Sequence, residues 1–177
     1  MLKLLARMIA TGVVTEPPPD DSQFAELGAE LERCVDRQFR RSVAIRHVDA
    51  GSCNACELEI HALNNPYYGI EQYGVHFVAS PRHADVLLVT GPVSRHMEEA
   101  LRRTWEAMPD PKWVIASGIC AIDGGEFGVS YASRGAVENV IPVDVRVPGC
   151  PPPPAALVVA LLELLKGPLT RSGGVPG

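Results

Sequence analysis

From Ser42 onward, short β-branched apolar runs take turns with helix-patterned segments, and this alternation constrains the fold more than any other feature of the chain. The runs "SVAIRHV" (42–48), "VHFVAS" (75–80), "ADVLLVTG" (84–91), "KWVIASG" (112–118) and "VDVRVPG" (143–149) read as strands. Between and after them, "CELEIHALNN" (56–65), "SRHMEEALRRTWEAM" (94–108) and "PPPAALVVALLELLKG" (152–167) read as helices. Ser94 is placed to cap the second of these, with Glu98 and Glu99 in its first turns. The third starts on prolines and ends on glycine, the expected asymmetry of a helix. Apolar strands separated by helices imply an α/β fold with a largely parallel sheet covered on both faces. Upstream, Phe24, Leu27, Leu31, Cys34, Val35 and Phe39 recur at helical spacing, so Cys34 reads as a small buried hydrophobe on an apolar stripe. The expected organisation is an amphipathic docking segment at 1–14, a proline-rich linker at 15–22, one α/β domain at 23–167 and a flexible tail at 168–177. Leu2, Leu4, Leu5, Met8 and Ile9 form the apolar face of the first segment, which is suited to a membrane subunit or the bilayer interface.

At 177 residues the chain can build one real core, and its net charge of −5 gives no reason to expect nucleic-acid binding. The arginines at 37, 40, 41 and 46 read as a solvated helix end or a partner-facing edge. The apolar stretches at either end are 14 and 11 residues, short of the ~20 a spanning helix needs, and the first lacks a signal-peptide cleavage site. Five cysteines, an odd number with no secretory signal, point to a reducing compartment, where clustered thiols usually bind metal.

Four of those cysteines follow strands. Cys53 and Cys56 come after the first, Cys120 after 112–118 and Cys150 after 143–149. A parallel sheet sends all its carboxyl ends to one edge, where open α/β sheets place their ligands, so four thiols distant in sequence converge there. Gly51, Gly118 and Gly149 precede these cysteines by one or two places and allow close backbone approach. Four converging thiolates suit zinc or an iron–sulfur cubane. The single ligands Cys120 and Cys150 depart from the paired knuckles of structural zinc and favour the cluster. A redox dithiol would leave two cysteines unused, and haem attachment would need histidine where Glu57 stands. The positive end of the helix after Cys150 would favour a negatively charged centre. His47, His61, His76 and His96 show no spacing that suggests a metal site.

"GSCNACELEI", "SPRHADVLLVTGPV", "SGICAIDGGEF" and "VDVRVPGCPPPPAAL" together resemble the small iron–sulfur subunit of membrane-bound, energy-converting [NiFe] hydrogenases of the formate hydrogenlyase type. They also resemble the homologous 20 kDa terminal-cluster subunit of respiratory complex I. The resemblance runs over about residues 42 to 166. It implies a flavodoxin-like fold and one [4Fe–4S] cluster held by Cys53, Cys56, Cys120 and Cys150, with Cys34 outside the ligand set. Glu59 would take part in proton transfer near the cluster, or else serve as a surface carboxylate at a positive helix end. Arg82 and His83 would tune the cluster potential, or else be solvated loop residues. The implied partners are a nickel-bearing large subunit, a ferredoxin-like iron–sulfur subunit and integral membrane subunits, with the chain held peripherally on the cytoplasmic face of the cell membrane. The complex I relative has two adjacent cysteines where this chain has C-x-x-C, a departure that points to the hydrogenase side. A complex I-like quinone oxidoreductase subunit and a zinc-stabilised α/β binding module are the competing readings.

Overall fold

A computed structural model describes residues 21–167. The expected segment at 1–14, most of the 15–22 linker and the 168–177 tail lie outside the described residues. Five strands form one sheet: β1 (Val43–Asp49), β2 (Val75–Phe77), β3 (Val86–Thr90), β5 (Trp113–Ser117) and β7 (Val145–Val147). Their order is β2-β1-β3-β5-β7 and every pairing is parallel, the doubly wound arrangement of flavodoxin-like folds. β4 (Val93–Ser94) and β6 (Ser133–Gly135) make a separate two-stranded antiparallel ribbon. The helices are α1 (Asp21–Phe39), α2 (Ala55–Ala62), α3 (Arg95–Ala107), α4 (Ile119–Asp123) and α5 (Pro154–Lys166).

The central strands explain the layering. All five residues of β3 and all five of β5 are buried, which a strand covered by helices on both faces requires. Val86 and Leu88 of β3, with Trp113 and Ile115 of β5, join a core under α1, α2 and α5 that includes Leu31, Ile60, Leu157 and Leu161. Leu87, Val89, Val114 and Ala116 point the other way, to a core with Leu101 and Met108 of the α3 side. Cys34 is buried in the first core, as its place on the apolar stripe of α1 predicts. Ser94 caps α3 by accepting from the Met97 N–H at 3.3 Å. At the amino-terminal end of the sheet, Asp85 is buried and accepts from both arms of Arg41 and from the Ala44 N–H, so one arginine of the basic run ties the end of α1 to β3. Among the described residues no helix is long and apolar enough to cross a membrane.

Candidate metal centre

Three loops leave the carboxyl ends of β1, β5 and β7, and each carries cysteine. The first is held by its own polar groups. The Asp49 carboxylate accepts from the Gly51 and Ser52 N–H groups at 2.8 and 2.7 Å, and Ser52 Oγ accepts from the Asn54 N–H at 3.0 Å. Cys53 is exposed on this loop and Cys56 opens α2, half-buried. The second and third loops are tied together: the Gly118 N–H donates to the Val147 carbonyl at 2.8 Å and the Ile119 N–H to the Gly149 carbonyl at 2.9 Å. All three glycines have positive φ, 138° at Gly51, 90° at Gly118 and 143° at Gly149.

Gly118 is where the loops meet. A Cβ added there would lie 2.9 Å from Cys56 Sγ, 3.6 Å from the Gly149 carbonyl oxygen and 3.9 Å from Pro152. One point on the second loop thus touches the first and the third. A Cβ at Gly125 would stand 2.8 Å from Cys120 Sγ, so a second glycine clears space for a second sulfur. Burial pushes the Cys56 thiol up to about 11, helped by the charges of Glu57, Cys53, Cys120 and Cys150. Burial likewise raises Cys120, with Cys150, Cys53 and Asp123 adding to it. Soft donors whose ionisation is opposed by burial and neighbouring charge, as at Cys56 and Cys120, fit a cationic metal centre that stabilises the thiolate. Among the described residues, no three His, Cys, Asp or Glu side chains are grouped to hold a single metal ion.

Glu57, where haem attachment would need histidine and which with Glu59 is an expected partner contact, is buried beside the first loop. Its carboxylate accepts from Ser52 Oγ at 2.6 Å and from the Thr90 hydroxyl at the end of β3. His47 Nε2 lies 3.0 Å from Thr90 Oγ1 and 3.7 Å from Glu57, and burial holds its pKa below the usual histidine value. His47 and Glu57 border a cavity of about 280 Å³ between β1, α2 and the end of β2. The one sequence signal for this group is a polar residue ending an otherwise apolar strand, as Thr90 does. Glu59, three residues past Cys56, is partly exposed on α2. Arg82 and His83 are exposed on a turn, Pro81–His83, that contacts α3 and leads into the amino-terminal end of β3, so their placement brings them no bond to the cysteine loops.

The profile of the family described as "NADH ubiquinone oxidoreductase, 20 Kd subunit" matches residues 53–164, a span that opens on Cys53 and contains Cys56, Cys120 and Cys150. The chain belongs to this family. The 20 Kd subunit family places it among oxidoreductase subunits, and individual relatives are specific. It is 42% identical over 156 residues to formate hydrogenlyase subunit 7 of Escherichia coli K12, covering 88% of this chain and 59% of that protein. It therefore spans less than two thirds of that relative's length. It is 48% identical over 130 residues to a protein named probable membrane-bound hydrogenase subunit mbhJ of Pyrococcus furiosus, covering 71% of this chain and 78% of that one. Among solved structures it is similar to a chain of the membrane-bound sulfane sulfur reductase, an archaeal respiratory membrane complex, with a TM-score of 0.64 and 32% identity over 77% of this chain and 75% of that chain.

Proposed function

We propose that this family member is the electron-transfer subunit of a membrane-bound, energy-converting hydrogenase of the formate hydrogenlyase type, carrying one [4Fe–4S] cluster next to the nickel–iron site of a large subunit. The observation that carries the reading is the meeting of the three cysteine loops at Gly118. Cys53, Cys56, Cys120 and Cys150 would hold the cluster, which when bound supplies one-electron transfer. A zinc site draws its sulfurs to ~2.3 Å of one point. A cubane spreads its ligands over separate irons, which suits one C-x-x-C pair and two single cysteines on three loops. The relatives named as formate hydrogenlyase and membrane-bound hydrogenase subunits support a place in a membrane-bound complex. Its partners there would be a nickel-bearing large subunit, a ferredoxin-like iron–sulfur subunit and integral membrane subunits.

The cysteine edge also carries exposed apolar side chains: Leu58 beside Cys56, Ile119 beside Cys120, and Phe127, Val129 and Tyr131 just beyond. These would be covered by the large subunit. Glu59 would pass protons on that side. Arg82 and His83 stand at the amino-terminal end of β3, away from the cysteine edge, and would serve as solvated turn residues. The chain's own work is to hold the ligands, limit water and present a short path to the partner.

Protein purified anaerobically should contain about four iron and four sulfide per chain. Cys120→Ser and Cys150→Ser should lose or degrade the cluster, while Cys34→Ser, buried in the core, should keep it. Stoichiometric zinc without iron would sink the proposal. A complex with the cluster but without nickel, reducing quinone, would instead favour the complex I-like reading that the family name allows.

A further inference from the structure

β3 and β5 are apolar until their last residues, Thr90 and Ser117. The two are Cα partners, so their side chains stand side by side on one face of the sheet. Alternation along β5 from Trp113 and Ile115 puts Ser117 on the face covered by α1, α2 and α5. Thr90 uses its hydroxyl on Glu57. Ser117 is 0% exposed, and its Oγ has no hydrogen-bond partner among the described residues. A buried hydroxyl left unpaired is unfavourable, so a partner is expected. Its surroundings show what acceptor is missing. The next residue is Gly118, whose Cβ position is 2.9 Å from Cys56 Sγ. Its other Cα partner, Val147, leads into Gly149 and Cys150, and Cys120 follows three residues on. The carbonyls of Thr90, Val147 and Gly149 each already accept from a backbone N–H, of Ala50, Gly118 and Ile119 in turn. Those carbonyls are engaged, and the Cys56 sulfur lies against the very next residue.

We propose that the Ser117 hydroxyl donates a hydrogen bond to sulfur of the centre, either the Cys56 thiolate or a cluster sulfide, and thereby raises its reduction potential. This rests on the cluster reading above. Reduction adds negative charge to the sulfurs, so a donor aimed at them stabilises the reduced state more than the oxidised one. Ser117 is then a positioning and tuning residue; the ligands are unchanged.

The test is an anaerobic redox titration of the full chain, followed by electron paramagnetic resonance, with iron and sulfide measured in parallel. Ser117→Ala should keep the iron content and shift the reduction equilibrium about tenfold toward the oxidised state, which is about 59 mV for one electron. Ser117→Cys, a weaker donor of similar size, should fall between Ser117→Ala and the parent. One exchangeable proton coupling to the reduced centre should disappear in Ser117→Ala. Should that variant fail to load, Ser117→Cys with a lowered midpoint carries the test. Parent-like midpoints and couplings in loaded variants would overturn the proposal and assign Ser117 to a buried water. Absence of iron from the parent chain would overturn the cluster reading as well, which keeps the two failures apart.

Discussion

Gly118 bears two constraints at once: a φ of 90° that L side chains avoid, and a neighbouring sulfur where its Cβ would go. Gly118→Ala should therefore strip most of the iron from protein that still folds, read by metal analysis. Gly128→Ala is the control, because φ is also positive there, at 49°, but a Cβ meets nothing within 4 Å. The glutamate next to Cys56 makes a different demand. Glu57→Ala would leave the hydroxyls of Ser52 and Thr90 without their acceptor, at about 1–3 kcal/mol for each group that water does not reach. Chemical denaturation should show the loss, and a parent-like midpoint would mean that the loop repairs itself. His47 adds a pH dependence. Burial depresses its folded pKa below the unfolded value near 6.5. Between those two values the unfolded state binds more protons, so the stability His47 contributes is present above ~6.5 and lost as pH falls through the folded pKa. Denaturation midpoints from pH 7 to 5 should drop, and His47→Gln should flatten that part of the curve.

α5 shows how an element is held. Leu157, Val158, Ala160, Leu161, Leu162, Leu164 and Leu165 are all buried, so most of its circumference is covered by α1, α2 and the sheet. Leu161→Ala should cost about 2–5 kcal/mol in urea denaturation, the range for a cavity left in a packed core. Glu30→Gln, which breaks an exposed 2.7 Å pair with Lys166, should leave the midpoint nearly unchanged. The helices and main strands were readable from periodicity because each is long enough to show a period. Their ends were less so. The strand expected at 75–80 stops at Phe77, since Pro81 opens a turn and the edge strand has one neighbour, β1. The strand expected at 143–149 is only Val145–Val147, confined between Pro142 and Pro148. The helix after Cys53 begins at Ala55 and ends at Ala62, where the chain turns through Leu63 to Asn65. α1 already includes Asp21 and Ser22, inside the expected linker. The β4–β6 ribbon and α4 left no trace in the pattern, because two, three and five residues are too few to repeat.

For the whole molecule, the edge that gathers the cysteines also gathers most of the exposed large apolar side chains among the described residues. Phe127 is 65% exposed and Tyr131 94%. If the large subunit covers this edge, Tyr131→Lys should weaken co-purification of the partner by tenfold or more, the ~1.4 kcal/mol or greater loss of a central aromatic contact. Unchanged partner recovery with full iron content would place the interface elsewhere. Convergence of Cys53, Cys56, Cys120 and Cys150 on one edge was decided by the sequence alone. Strand–helix alternation forces a parallel sheet, and a parallel sheet has a single carboxyl edge. The same logic placed Cys34 in the core, because helical spacing sets the buried face of α1. The tertiary structure decided what depends on lateral register between strands far apart in the chain. Thr90 and Glu57 are 33 residues apart, and no spacing rule links them. They meet because β3 lies between β1 and β5 and ends level with the first turn of α2. Register also sets Ser117 beside Thr90 with its hydroxyl unpaired, since hydrogen bonding in a sheet aligns neighbours that local sequence does not see.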